Sequence, residues 1–262
     1  MFLHIINDLI NYKILILVIL GGFLPSILWL WFWLKEDKKN PEPTYLIITT
    51  FLAGGLSVFA AFYLEKKTTV NFDFSILENI KISFNPFWVG VKASLPFIAI
   101  FFVWAFIEEL VKYLAAALIS FQNKNFNEPV DAVIYMITVA LGFTAVENSF
   151  FLIKSLSLNN GFDFLLNGNL RFICATMLHV FSSAIVGVVI GLSFKITGWR
   201  KVIRIIFGLL IATLLHALFN FFIIINEGQN IFKVMIVLWL STIIILIFFE
   251  KIKKIKTNYV QR

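Results

Sequence analysis

The sequence predicts an all-α protein, a polytopic transmembrane helical bundle of about seven spans, on three observations. Of the 262 residues, 60% are hydrophobic and 14% are charged, against roughly 25% charged in a soluble domain that must cover its surface. Mean hydropathy is +0.91. Apolar runs near 20 residues recur along the chain, each long enough to cross a hydrocarbon core of ~30 Å as a helix. They fall at approximately 14–34, 45–64, 93–119, 130–153, 172–194, 202–225 and 232–249, and the chain 1–262 reads as a single integral membrane domain. The first run is too long and too aromatic for a secretory signal, and no A-x-A-like cleavage site follows it.

The basic residues orient the bundle. Lys35, Lys38, Lys39, Lys124, Lys195, Arg200, Lys201, Arg204 and the tail from Lys251 to Arg262 put thirteen cations on one side. Lys13, Lys66, Lys67, Lys81, Lys92, Lys154, Arg171 and Lys233 put eight on the other. The richer side is cytoplasmic, so the N-terminus is expected outside and the C-terminus in the cytoplasm, with the protein in the plasma membrane. The net charge of +7 is spread over these loops, so the expected partner is the lipid bilayer and not nucleic acid. Cys174 is the one cysteine, which excludes an intrachain disulfide and a Cys-rich metal cluster; within an apolar run it reads as a packing residue.

The spans differ in detail. In span one, Trp29, Trp31 and Trp33 near the end read as an interfacial aromatic belt. Between spans two and three, Phe72, Phe74 and Ile76, then Ile80, Ile82 and Phe84, alternate with polar residues. That period of two suits a segment on the headgroups or a half-buried strand whose edge pairs with an extended substrate. In span five, Gly187 and Gly191 mark a close helix contact. His4 reads as solvated, Glu42 as a loop residue, and Asp131, after Pro129, as a first-turn carboxylate favouring the dipole of helix four.

Charged groups inside the spans need a stronger reason, because each costs about 2.5–3.5 kcal/mol or more at the centre of a membrane helix. Span three carries Glu108, Glu109 and Lys112. Glu108 and Lys112 share a helix face and could be a structural ion pair, or Lys112 could snorkel to the interface. Lys112 neutralises one carboxylate, however, and there are two, which suits the second to general-base work. Span four adds Glu147, with Asn148 beside it and Phe143 one turn earlier; no basic residue of this span can pair with Glu147. Span five places His179 before Ser182 and Ser183, and span six sets His216 and Asn220 on one face. One intramembrane histidine is more often a packing hydrogen bond than a ligand. Four consecutive spans with ionisable groups point instead to one shared polar cavity.

These motifs resemble, in order, those of the PrsW family of intramembrane proteases, and more distantly the CAAX-processing proteases: EELVK (108–112), FTAVE (143–147), the mid-span His179 and HALFN (216–220). The segments EDKKNPEP, EPVDAVIY and GFTAVENSFF are also similar to that family, so the resemblance covers about 20 to 225. Lys112 stands where CAAX-type proteases usually carry Arg, and Glu147 where they carry His, which points to PrsW and away from prenyl-protein processing. The resemblance implies cleavage of a membrane-anchored protein substrate, as in the first, external-side cut that releases a sigma factor from its membrane-spanning anti-sigma protein.

The residues themselves suggest a mechanism. Glu108 or Glu109 takes a proton from the attacking water, Lys112 orients one carboxylate, and His216 and Asn220 donate to the oxyanion. Glu147, His179 and His216 make either a three-ligand zinc site with an open position or part of a metal-free, glutamate-based site, which we prefer. An ion- or proton-coupled transporter is the main alternative, since such groups also build proton relays; a non-catalytic membrane scaffold or sensor is another.

Overall fold

In a bilayer every backbone N–H and C=O must be bonded within the protein, so each apolar run folds as a helix. The computed structural model describes residues 12–36, 40–71, 81–84, 91–156, 161–225 and 231–255. Seven helices are present among them: α1 Tyr12–Glu36, α2 Thr44–Asn71, α3 Leu95–Ile119, α4 Asp131–Leu156, α5 Gly161–Leu192, α6 Trp199–Ile225 and α7 Ile231–Lys253. Six are long and apolar enough to cross a membrane; α3 is the one that carries Glu108, Glu109 and Lys112. Large apolar side chains cover the outside, with Leu56 and Leu118 69% exposed and Phe207 61%. That surface is suited to lipid and would be an aggregation hazard in water.

The core lies around α4 and α5, whose spans are 72% and 78% buried inside the protein, against 22% for α1 and 28% for α7. α4 packs on α5, α2, α1 and α3, while α6 lies against α3 and α5, and α7 against α5. Glycines allow the closest crossings. A Cβ on Gly142 would stand 1.9 Å from the Phe51 carbonyl oxygen, and one on Gly54 2.0 Å from that of Val139. Gly187 and Gly191 meet the start of α4 in the same way, at Val133 and Pro129.

The loops opposite the α2–α3 connection are tied by polar contacts. Asp131 Oδ2 accepts from the backbone N–H of Asn127 and Glu128 at 2.8 and 2.7 Å, so it folds the turn into α4 rather than only favouring the helix dipole. Glu42 accepts a hydrogen bond from Tyr135 Oη, so this loop residue is a tether to α4. Before α6, Gly198 adopts φ +67°, a left-handed conformation that glycine takes without strain.

Two details differ from the sequence reading. α5 begins at Gly161, well before the apolar run at 172, because hydropathy marks the membrane while hydrogen bonding carries the helix beyond it. Trp33 is 1% exposed and packs edge-on against Phe249, so it belongs to the core; Trp31 is exposed beneath Lys35, as a belt residue would be. Of the two readings of the alternating segment, the strand is the one seen at Lys81–Phe84 (β1), which pairs antiparallel with Val91–Ser94 (β2). His4, Phe72, Phe74, Ile76 and Ile80 lie outside the described residues.

Candidate active site

α3 packs on α2, α4 and α6, and its packed face carries the charges inward. Glu109 and Lys112 are completely buried and Glu108 is 7% exposed. Charges so far from water persist only when paired and hydrogen-bonded, so their partners define what each can do.

Glu109 is saturated. Its Oε1 accepts from Lys112 Nζ at 2.7 Å, Ser182 Oγ at 2.8 Å and His216 Nδ1 at 2.9 Å, and its Oε2 accepts from Ser183 Oγ at 2.9 Å. Lys112 Nζ also donates to His179 Nδ1 at 3.0 Å and lies 4.8 Å from the centre of the Phe143 ring. The Phe143 and His179 rings are in contact, with centroids 5.5 Å apart.

The two histidines are oriented by these contacts. His179 accepts from the ammonium at Nδ1, which leaves its Nε2–H to donate to Glu147 Oε2 at 2.8 Å. The partner of Glu147 therefore comes from the next helix. His216 donates from Nδ1 to Glu109, so in its neutral form the lone pair is on Nε2, which faces Glu108 Oε2 at 3.6 Å. The two rings stand perpendicular, with centroids 4.9 Å apart.

Glu108 contrasts with its neighbour. Its Oε2 is buried and makes no hydrogen bond, although it lies 3.6 Å from His216 Nε2, 3.8 Å from His179 Nδ1 and 4.0 Å from Lys112 Nζ. Adjacent residues on one helix thus have opposite surroundings, one carboxylate fully engaged and the other with an idle oxygen aimed between two imidazoles.

Six of the seven residues singled out by sequence meet here. Asn220 is half-buried one turn beyond His216 on α6. A cation would find three donors in Glu108, His179 and His216, which offer atoms within 4.8 Å of one another. The sequence grouped Glu147 with the two histidines, whereas the fold puts Glu108 between them and pairs Glu147 with His179.

Other residues had no role assigned from sequence. Ser182 and Ser183 hold Glu109; their spacing of three and four from His179 places them on its face of α5, and that signal could have found them. Asn148, next to Glu147, donates to Thr176 Oγ1 at 3.2 Å and ties α4 to α5. Glu65 of α2 lies near enough to Glu147, Lys112 and Glu108 to interact with each electrostatically. A cleft of about 470 Å³ between Asn40, Glu42, Asn125, Glu128 and Asp131 is separate from this centre. It lies at the start of α4, ~24 Å along the helix from Glu147 at 1.5 Å per residue.

A profile described as PrsW family intramembrane metalloprotease matches residues 42–248 of the chain. The protein named Protease PrsW from Oceanobacillus iheyensis is 24% identical over 228 residues, spanning 85% of this chain and 91% of its own length. Its namesake from Bacillus subtilis is 22% identical over 204 residues, spanning 78% of this chain and 81% of its own length. That from Clostridioides difficile is 28% identical over 218 residues, spanning 79% and 81%. No solved structure is a significant match.

Proposed function

Because the chain belongs to the PrsW family of intramembrane proteases, we propose that it hydrolyses a peptide bond of a membrane-anchored protein with water activated by Glu108. One contrast carries this assignment: Glu108 Oε2 is buried without a hydrogen bond, while Glu109 already accepts four. A general base needs a lone pair within reach of the water, and Glu108 has one.

A water that donates to Glu108 Oε2 and to His216 Nε2 is held by two acceptors 3.6 Å apart. Glu108 takes one proton as the water oxygen bonds to the scissile carbonyl carbon. When the C–N bond breaks, the same proton passes to the leaving nitrogen. Asn220 is the amide donor assigned to the oxyanion, next to the imidazole of His216. Lys112 balances Glu109, and the serines keep that pair in place. Glu147 fixes the ring of His179 by accepting its Nε2–H.

The donor set also fits the divalent ion that the family's description implies, because Glu108 Oε2 is orphaned and both imidazoles lie beside it. Glu108, His179 and His216 would hold such an ion, and a bound ion would supply Lewis-acid activation of water. The Lys112 ammonium, 3.0 Å from His179 Nδ1, would have to give way. Metal analysis of the purified protein, with chelation and zinc readdition, reads which arrangement operates.

We assign the chain, 1–262, as one catalytic unit of the plasma membrane, with its N-terminus outside and its basic tail in the cytoplasm. The substrate class is a membrane-spanning, anti-sigma-like protein cut first on the external side. The test is Glu108→Gln in liposomes containing a single-span substrate. Cleavage is expected to fall by at least ~100-fold, the usual contribution of a general base, with the same yield of folded protein. Full activity in Glu108→Gln would remove the assignment.

A further inference from the structure

α3 carries a second orphaned polar atom one turn from the first. Trp104 Nε1 is buried and makes no hydrogen bond, as is true of Glu108 Oε2. The two residues stand at i and i+4 on the inward face of α3, which they share with buried Phe101, Ala105 and Lys112. The indole as a whole is half-buried, and its nitrogen is the end turned in. A tryptophan at a membrane interface does the reverse, keeping its ring in the apolar layer and its N–H in water. Trp104 is also too deep for that arrangement. It stands eleven residues inside the run 93–119, ~17 Å at 1.5 Å per residue, where lipid offers no acceptor.

The chemistry of the group narrows what can satisfy it. An indole N–H donates and never accepts, and the Trp104 ring is held edge-on against Phe101 with centroids 6.1 Å apart. The orphaned hydroxyls of Thr144 and Thr213, by contrast, can rotate toward a backbone carbonyl. Trp33 Nε1 is the other unpartnered indole nitrogen among the described residues, but it belongs to α1, which supplies no site residue. The acceptors that an apolar substrate span can bring are its main-chain carbonyls, and these are free only where the span is unwound. In an extended segment, carbonyls two residues apart point the same way and lie ~6.6–6.8 Å apart. Positions i and i+4 of a helix are ~6 Å apart along its axis, and side chains on one face lean in the same direction. A scissile carbonyl at Glu108 therefore brings the carbonyl two residues away to Trp104.

We propose that Trp104 is a substrate-binding residue that donates its Nε1–H to the main-chain carbonyl two residues from the scissile one. This rests on the hydrolase reading above and deepens it. The contact lays an unwound segment along α3 in the register that sets the scissile carbon at the water on Glu108, and such positioning is a large part of catalysis. Asn220 remains the oxyanion donor, while Trp104 holds a carbonyl that does not react. Because the contact is with main chain, it selects apolar spans that can open over about three residues and reads no side chain.

The experiment uses the full-length protein in liposomes with synthetic single-span peptides. In each peptide one amide near the mapped cut is replaced by an ester, whose carbonyl is a weaker acceptor. In the wild type, the ester carbonyl two residues from the scissile one is expected to lower kcat/KM by roughly three-fold or more, within the range of one neutral hydrogen bond. Trp104→Phe keeps an aromatic ring beside Phe101 and lacks the N–H. It is expected to lower kcat/KM on the all-amide peptide by roughly three- to ten-fold and to abolish the ester penalty at that position alone. Taking the penalty as a ratio within each variant removes any general loss of activity or folding. If Trp104→Phe cleaves too slowly to follow, the same ratio is read from peptide affinity in Glu108→Gln with and without Trp104→Phe. No penalty at that position in the wild type, or a penalty that persists in Trp104→Phe, overturns the proposal alone. No cleavage of the all-amide peptide by the wild type overturns the hydrolase reading and this proposal together.

Discussion

Glu108 and Glu109 are neighbours in sequence, yet substitutions should separate them. Glu109→Gln removes the carboxylate that pairs with completely buried Lys112 and accepts from two serines and His216. Stranding a buried charge costs about 3–5 kcal/mol, so Glu109→Gln is expected to lower the thermal midpoint in detergent as well as activity. Glu108→Gln breaks no hydrogen bond at Oε2 and should keep its stability within ~1 kcal/mol while activity is lost. Thermal unfolding of both variants beside a cleavage assay reads the split; equal destabilisation would argue against the division of roles. That these residues gather in one candidate site was legible in the sequence because charged groups in apolar runs are rare and expensive. The division between two adjacent glutamates was not, since it depends on α5 and α6, which only the tertiary fold brings alongside.

Helix crossings set how closely these groups can approach. Gly142 and Gly54 form reciprocal contacts between α4 and α2, in which a methyl group would strike the backbone of the opposite helix. Backbone cannot turn aside as a side chain can, so Gly142→Ala is expected to cost about 1–3 kcal/mol through overpacking and to lower activity by moving α2 away from Glu147. Gly208→Ala meets the side chain of Val189, with Cβ, Cγ2 and Cγ1 at 3.1–3.3 Å, and a side chain can shift by a few tenths of an ångström, so it should cost less than Gly142→Ala. Denaturation midpoints of the two variants provide the comparison, and equal effects would show that the α2–α4 crossing has slack. The spacing of Gly187 and Gly191 revealed one crossing from sequence. Gly54 and Gly142 did not, because each contributes its glycine from a different helix and no local pattern links them. The extra turns of α5 were hidden for another reason: polar Asp163, Asn167, Asn169 and Arg171 end a hydropathy run without ending a helix.

For the whole molecule, the decisive quantity is the depth of the reaction centre in the membrane. The chain alternates direction through its helices, so the end of α4, the start of α5 and the end of α6 all lie on the side of the β1–β2 hairpin. Glu147 stands six residues from that end of the run 130–153, His179 seven from that end of 172–194, and His216 nine from that end of 202–225. At 1.5 Å per residue these positions are ~9–14 Å inside the apolar region, while Glu108 stands fifteen residues from the hairpin end of the run 93–119 and eleven from the other, so the centre lies near the middle of a ~30 Å core. A substrate helix entering beside α3 would therefore meet Glu108 near the middle of its span. The scissile bond is expected roughly ten residues inside either end of the substrate's apolar segment, or nearer one end if the segment unwinds to reach the site. Mass spectrometry of both fragments from a single-span substrate fixes the position. Moving the apolar segment by three residues relative to its flanking loops should move the cut with the membrane boundary, because the site is set at a depth. A cut that stays at the same residues, or falls at either end of the span, would separate recognition from the depth at which these helices hold their charges.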